Sequence, residues 1–394
     1  MMKFSKKYDV VVAGGGIAGV AAAVASARKG MKTALVEKTV FAGGLATAGI
    51  VYIYLPLCDG NGTQVTYGLA EELLKESIKY GPGDIPENWK SEKNAEEAKR
   101  YRVVFSPASY VLALDEIMLK AGVDIWYDTL VTDTIVENDK LQSIEVCNKS
   151  GKGTISAKCF VDATGDADLA HLSGLNCPVD DNSLAIWAIE YLEDEISQRW
   201  RFGVNNYGFH GGSNISPKME QAGINGKLVS KFVLKGREKY CERLKDSYKS
   251  GKHDRNSHFP LTLPSMAQFR MTRHIDGEFT LSDGMEWTSF EDSIGLAADW
   301  RKPGFVWEIP YRSLVPKGIN GLLSAGRCIA SEGDAWEVTR VIPIAALTGE
   351  AAGVAAALSI EKNIEISELD YKLLQDELQH GRKFPLHFGD VGLA

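Results

Sequence analysis

Short uninterrupted apolar runs, each leading into a glycine-containing turn, mark the start of this chain. Residues 8–13 read Tyr-Asp-Val-Val-Val-Ala, a β-branched run suited to a strand buried on both faces of a parallel sheet. An alanine-rich helix follows over 20–29 with Gly30 as its stop, and 32–36 forms the next strand. Over 66–80, Leu69, Leu73, Leu74 and Ile78 recur at helical spacing. Ser106 and Pro107 open a helix to 121, with serine as N-cap and proline in the first turn. Three runs, 125–136, 141–148 and 154–162, are separated by short polar turns and predict a three-stranded meander. Its last run, ending at Asp162, returns the chain to the parallel sheet. Residues 321–323 read as another buried strand, and 343–358 as a helix of small residues with Pro343 in its first turn. A polar terminal helix is expected over 367–379, capped by Ser367.

Between 182 and 304 the texture changes. Aromatic and charged residues rise and glycine-rich turns vanish. The pattern predicts an α/β protein: a parallel sheet carrying the meander, with a second, α+β domain inserted. The first domain then comprises 1–181 and 305–394, and the insert 182–304 is expected to face substrate. A chain of 394 residues is long enough for two or three domains.

Composition narrows the function classes. A net charge of −8 without a long basic run argues against a nucleic-acid partner. Residues 10–27 and 341–360 have the length of membrane spans. Their glycine and alanine content and the mean hydropathy of −0.14 for the whole chain make them buried helices instead. The six cysteines are scattered with no C-x-x-C, so neither a redox dithiol, an iron–sulfur cluster nor a structural zinc site is supported, and a cytoplasmic protein is expected. None of the seven histidines forms a familiar ligand pair, and no metal is expected.

The candidate chemistry begins at the first turn. Gly14-Gly15-Gly16-Ile17-Ala18-Gly19 is G-x-G-x-x-G between a strand and a helix, and Glu37 ends the second strand. Gly14 permits the tight turn, Gly16 lets backbone approach a diphosphate, and Gly19 lets helix and strand pack. Glu37 is placed to accept hydrogen bonds from a ribose. The unit as a whole predicts an adenine dinucleotide. After Glu37 the chain enters a run of small residues, 42–49, rather than another regular βα unit. No second fingerprint marks a separate nicotinamide domain, which favours FAD over NAD.

The chain resembles the bacterial FAD-dependent oxidoreductases with a glutathione-reductase-type FAD domain, and is distantly similar to fumarate reductase flavoproteins. The resemblance rests on the fingerprint, Ala42-Gly43-Gly44, the segment from Asp162 to Asp168, the segment from Arg270 to Glu278, Ala325-Gly326-Arg327-Cys328-Ile329, and Arg340-Val341-Ile342-Pro343 with Gly349 to Gly353. It implies FAD contacts at Ile17, Ala18 and Lys38 around the fingerprint and at Gly43, Gly44, Leu45 and Thr47. It implies others at Val131, Ala163, Thr164 and Gly165, and at Gly326, Arg327, Ile342 and Pro343. Residues 41–47 lack the histidine that carries flavin covalently in related fumarate reductases, so a dissociable cofactor is expected.

Arg273, His274 and Arg340 are the candidates for the substrate side: guanidinium forks match carboxylates, and Arg340 precedes the Pro343 helix. The expected activity is transfer of a hydride equivalent between FAD and a small polar or anionic metabolite. An oxygen-using hydroxylase or oxidase, or a flavoprotein subunit passing electrons to a protein partner, stands as an alternative.

Overall fold

The computed structural model describes residues 4–85, 102–183, 186–193, 201–207, 223–381 and 384–393. The chain divides into two compact units: Met1–Gly44, Tyr52–Pro178 and Arg273–Ala394 form the first, and Leu45–Val51 with Val179–Thr272 the second. The expected boundary at 304 therefore moves to Thr272. Residues 273–304 belong to the first unit because Ser293–Ala298 pairs with Val306–Pro310, and Leu296, Ala298 and Val306 share a core with Val65 and Phe388. The aromatic and charged texture of this stretch had suggested the insert.

A five-stranded parallel sheet forms the centre of the first unit, in the order Leu322–Ser324, Cys159–Asp162, Val10–Ala13, Thr33–Val36, Asp124–Trp126. Every residue of the first four strands is buried, as their continuous apolar runs require. The meander is Leu130–Glu137, Lys140–Asn148 and Gly151–Ser156, antiparallel throughout. Two of the expected runs, 125–136 and 154–162, each split between the two sheets. Asp128, at φ +48°, turns the chain between Trp126 and Leu130. A fourth strand, Phe4–Lys7, pairs in parallel with Gly151–Ser156 and has no counterpart in the sequence reading. Only Phe4 of its four side chains is even partly buried, so it carries no apolar pattern.

Two helices of small residues cover the parallel sheet. Ile17–Arg28 packs on Ile342–Lys362, where a Cβ at Gly349 would stand 2.2 Å from the Ala18 carbonyl oxygen and one at Gly353 would stand 2.3 Å from that of Ala22. The longer helix has the length and apolarity of a membrane span, yet 89% of its apolar window is buried inside the protein. Its Glu350 is 1% exposed and reaches a helix that lacks a cap of its own. The Oε2 atom accepts a hydrogen bond from Leu69 N at 2.5 Å, at the start of Leu69–Ile78, whose N-cap is Gly68. The Ser106 hydroxyl caps Pro107–Ala121 by accepting from Ser109 N at 3.3 Å. The terminal helix differs from expectation. It runs over Tyr371–Asp376 with Asp370 as its cap, while Ser367 donates instead to Asn320 Oδ1 at 2.8 Å.

The second unit is α+β. Arg201–Tyr207, Ile186–Leu192 and His258–Thr262 form an antiparallel sheet, and Val179–Ser183 pairs with Phe269–Arg273. The helix Gly226–Lys249 is capped by Asn225 Oδ1, which accepts from Lys227 N and Leu228 N. Phe232 of that helix meets Phe269 at 4.8 Å between ring centroids.

The helix contact sets the first test. Gly353→Val should lower unfolding free energy by about 2–3 kcal/mol, since the added carbons must push two backbones apart. Gly226→Ala, with nothing within 4 Å of the added carbon, should leave it unchanged or slightly raised. Urea melts of both variants compare the two; equal stability would remove the close contact from the account.

Candidate cofactor site

Four adjacent parallel strands end at the residues singled out for cofactor binding. Val10–Ala13 runs into Gly14, Thr33–Val36 into Glu37 and Lys38, Cys159–Asp162 into Ala163, and Leu322–Ser324 into Ala325 and Gly326. Backbone hydrogen bonds hold these ends in register: Gly14 N to Val36 O at 2.8 Å, Ala163 N to Ala13 O at 2.8 Å, and Ala325 N to Asp162 O at 2.9 Å. Ligands of open α/β sheets bind outside the carboxyl ends of the strands, and the glycine turns here line that edge.

The three fingerprint glycines answer to different constraints. Gly14 has φ +94°, and a Cβ on it would lie 2.4 Å from Ala163 O; one on Gly19 would lie 1.8 Å from Gly14 O. Both are required by the fold itself. At Gly16 a Cβ meets nothing nearer than 3.9 Å, so the space beside this residue is open. Gly16 is also the N-cap of Ile17–Arg28, supplies no capping side chain, and is followed by no acidic residue in the first turn. Ile17 and Ala18 thus begin a helix whose positive end is left uncapped, as a diphosphate requires. Gly43 N donates to Gly15 O at 2.7 Å, which lays Gly43 and Gly44 along the same turn.

Glu37 is 7% exposed. Its Oε2 accepts from Gly15 N at 2.7 Å and its Oε1 from Thr39 N at 2.8 Å. Each carboxylate oxygen offers two lone pairs, so acceptor capacity remains for a ribose hydroxyl. Lys38 beside it is exposed. Val131 lies in the first meander strand, two residues after Thr129, whose N–H donates to Glu37 O at 3.0 Å. Leu45 and Thr47 fall in 45–51, which groups with the second unit although it follows Gly44 directly.

The loop after Cys159–Asp162 is held from within and from outside. Asp162 is fully buried and accepts from Thr164 N and Oγ1 and from the N–H groups of Leu169 and Ala170. Burial nonetheless pushes its carboxyl up to about 6, against those hydrogen bonds. Arg327 donates to Gly165 O at 2.5 Å and pairs with Asp166 at 2.6 Å. Arg273 donates to Asp166 O at 2.9 Å and pairs with Asp168 at 2.6 Å. The Asp168 carboxyl is raised by burial and by its neighbour Asp166, with the Arg273 and Arg327 charges opposing. Two arginines from distant parts of the chain therefore clamp one loop.

The same chain of contacts reaches the other two candidates. Trp336 Nε1 donates to Arg327 O at 2.5 Å, the His274 ring stands edge-on to the Trp336 ring at 4.8 Å, and Arg340 N donates to Trp336 O at 3.1 Å. His274 is 5% exposed, with Nδ1 2.8 Å from Ile275 O. A carbonyl only accepts, so that nitrogen carries a hydrogen. The Arg340 guanidinium pairs with Glu337 and lies 5.9 Å from the Trp300 ring centroid. It precedes the N-terminus of Ile342–Lys362, which has no side-chain cap and no acid in its first turn, with Pro343 lacking an N–H altogether. Gly326, at φ +78°, sits against Ala18 and donates its N–H to Thr348 Oγ1 at 3.0 Å.

Trp336 and Thr348 were not singled out in the sequence: Trp336 stands outside every motif, and Thr348 directly precedes the run from Gly349 to Gly353. Cys328, beside the same turn, is fully buried, and burial pushes its thiol up to about 12, away from reactivity. Among the described residues, no cluster of histidine, cysteine or acidic side chains has the arrangement to hold a metal.

Solved structures share this architecture at low identity. A geranylgeranyl bacteriochlorophyll reductase-like protein from Thermoplasma acidophilum is 15% identical with a TM-score of 0.50, over 96% of this chain and 85% of that one. The p-nitrophenol 4-monooxygenase of Pseudomonas putida is 15% identical with a TM-score of 0.47, over 95% and 84%. At such identity the first shows the fold alone. The further likeness to fumarate reductase flavoproteins gains no support from these comparisons. No curated protein matches the chain. A family model described as FAD dependent oxidoreductase matches residues 9–186 and 187–378. With that match over nearly all of its length, the chain belongs to the FAD-dependent oxidoreductases, and its cofactor is FAD.

Proposed function

We propose that this enzyme moves a hydride equivalent between non-covalently held FAD and a small polar or anionic metabolite. The observation that carries this reading is the contact chain running from the loop at Ala163 to Asp168 through Arg327 and Trp336 to His274 and Arg340. It ties the groups suited to anion recognition to a turn at the sheet edge. FAD, when bound, supplies the two-electron chemistry.

The chain's own residues supply binding and electrostatics. The uncapped end of Ile17–Arg28 and the open space at Gly16 take the diphosphate, and Glu37 takes the ribose. Arg273 acts as a positioning residue, because both of its hydrogen-bonded partners belong to the clamped loop. Arg340, at the head of the second uncapped helix, is proposed to stabilise negative charge on the flavin side and to attract an anionic substrate, with His274 packed against Trp336 one turn before it.

Gly16→Leu should give soluble protein melting within a few degrees of the parent but devoid of flavin, since its side chain enters only the open space. Recovery of stoichiometric FAD from the purified variant, measured by chromatography of the released cofactor, would contradict the assignment. Arg273→Ala should weaken FAD binding about tenfold, as expected for losing charged hydrogen bonds. Arg273→Lys should restore only part, because an ammonium cannot fork between Asp166 O and Asp168; full rescue in a flavin titration would reduce the residue to a simple charge. Arg340→Gln should retain flavin and melting temperature while lowering the flavin midpoint potential by about 30 mV, or about 1.4 kcal/mol for a two-electron couple. An unchanged potential would leave Arg340 as the partner of Glu337 and nothing more.

A further inference from the structure

The second unit contains a cavity of about 430 Å³ between the helix Gly226–Lys249 and the segment 264–268. Val229, Val233 and Leu234 present its helical wall, and Pro264, Met266 and Ala267 the opposite one. The cavity lies beside the Phe232–Phe269 pair, whose flanking side chains Val229, Val233 and Ala267 it shares. Leu234 is 63% exposed, an apolar side chain left in solvent next to an apolar recess. Among the described residues, Arg237 is the only charged one lining the space. It follows Val233 by one helical turn, which puts a guanidinium beside an otherwise uncharged recess.

The charge on the helical side of this recess is predominantly positive. The helix Gly226–Lys249 carries eight lysines and arginines against three acidic residues, in a chain whose net charge is −8. Cationic excess on one helix of an acidic protein draws anions to that face. Among the described residues, Arg237 is within ion-pairing distance of no carboxylate, unlike Arg243, which pairs with Glu190. A largely apolar recess of this size with a few polar groups and one charged anchor is the usual form of a small-molecule site.

We propose that the recess binds a small amphipathic anion, an aromatic or medium-chain carboxylate, with its apolar body between Val233 and Met266 and its carboxylate on Arg237. The far wall is fixed in place by the chain itself. Ser265 N donates to Ala48 O at 2.9 Å, and the Gln268 side-chain amide donates to Gly49 O. Ala48 and Gly49 belong to the same unit as the recess. This assignment does not rest on the redox reading.

The test uses full-length, FAD-loaded protein and two probes of the same shape, naphthalene-2-carboxylate and the neutral naphthalene-2-carboxamide, titrated calorimetrically. The carboxylate should bind saturably with one-to-one stoichiometry and about tenfold more tightly than the amide, the gain expected for a charged hydrogen bond. Arg237→Gln, at an exposed position, should erase that difference and leave amide binding unchanged. Val233→Trp, which fills the recess, should abolish both. Absence of saturable binding, an undiminished carboxylate preference in Arg237→Gln, or unaltered binding in a folded Val233→Trp protein would each overturn the proposal. Because the readout is binding, a failure of the proposed reaction leaves it standing, and the reverse also holds.

Discussion

The close contact between Ile17–Arg28 and Ile342–Lys362 is the constraint on which the first unit depends. Gly349 and Gly353 stand against the Ala18 and Ala22 carbonyls with no room for a Cβ on either glycine. That contact fixes how deep the fingerprint helix lies over the sheet, and hence where its uncapped end projects. It also governs composition. A helix able to approach another so closely must be built of glycine and alanine, which makes it resemble a membrane span while being interior. Gly326 obeys the same rule, since a Cβ there would meet that of Ala18 at 2.8 Å.

From this contact the site assembles by convergence. Residues separated by more than three hundred positions meet at the carboxyl edge of one sheet: Gly14 and Glu37 from the start, Ala163 to Asp168 from the middle, Gly326 and Arg327 from the end. Arg273 and Arg327 grip the same loop from two separate segments that both follow it by more than a hundred positions. A half-buried loop held by two ion pairs is costly to distort, because removing either aspartate leaves a largely buried guanidinium without its partner. The loop is therefore held in one arrangement at the sheet edge. Glu350 plays a comparable part elsewhere, supplying from 281 residues away the cap that Gly68 lacks.

What the sequence made legible follows from how local each signal is. The strand–turn–helix at Val10 to Arg28, the serine cap at Ser106 and the meander are written in neighbouring residues, and the structure contains them. Phe4–Lys7 escaped because three of its four side chains face solvent and leave no alternation to read. The stretch 273–304 was placed in the wrong unit because tryptophans and charges suggested an insert, whereas its pairing with Val306–Pro310 is a long-range fact. Asp370 displaced Ser367 as the last helix cap because Ser367 found Asn320 instead. Trp336, which joins Arg327, His274 and Arg340, has no local signature at all. Its importance exists only once the segment at His274 has met the stretch from Arg327 to Arg340.

The pairing of the two small-residue helices has a consequence for how the protein is made. Ile17–Arg28 leaves the ribosome early, but the surface that covers it, around Gly349 and Gly353, follows some 330 residues later. At about 5–20 residues per second, that interval is on the order of 20–60 seconds. For that time an alanine- and valine-rich helix face waits without its partner, and the central strand Val10–Ala13 waits for Cys159–Asp162. The fingerprint helix is thus made well before the helix that covers it, and its packed state is reached only after most of the described chain has been synthesised.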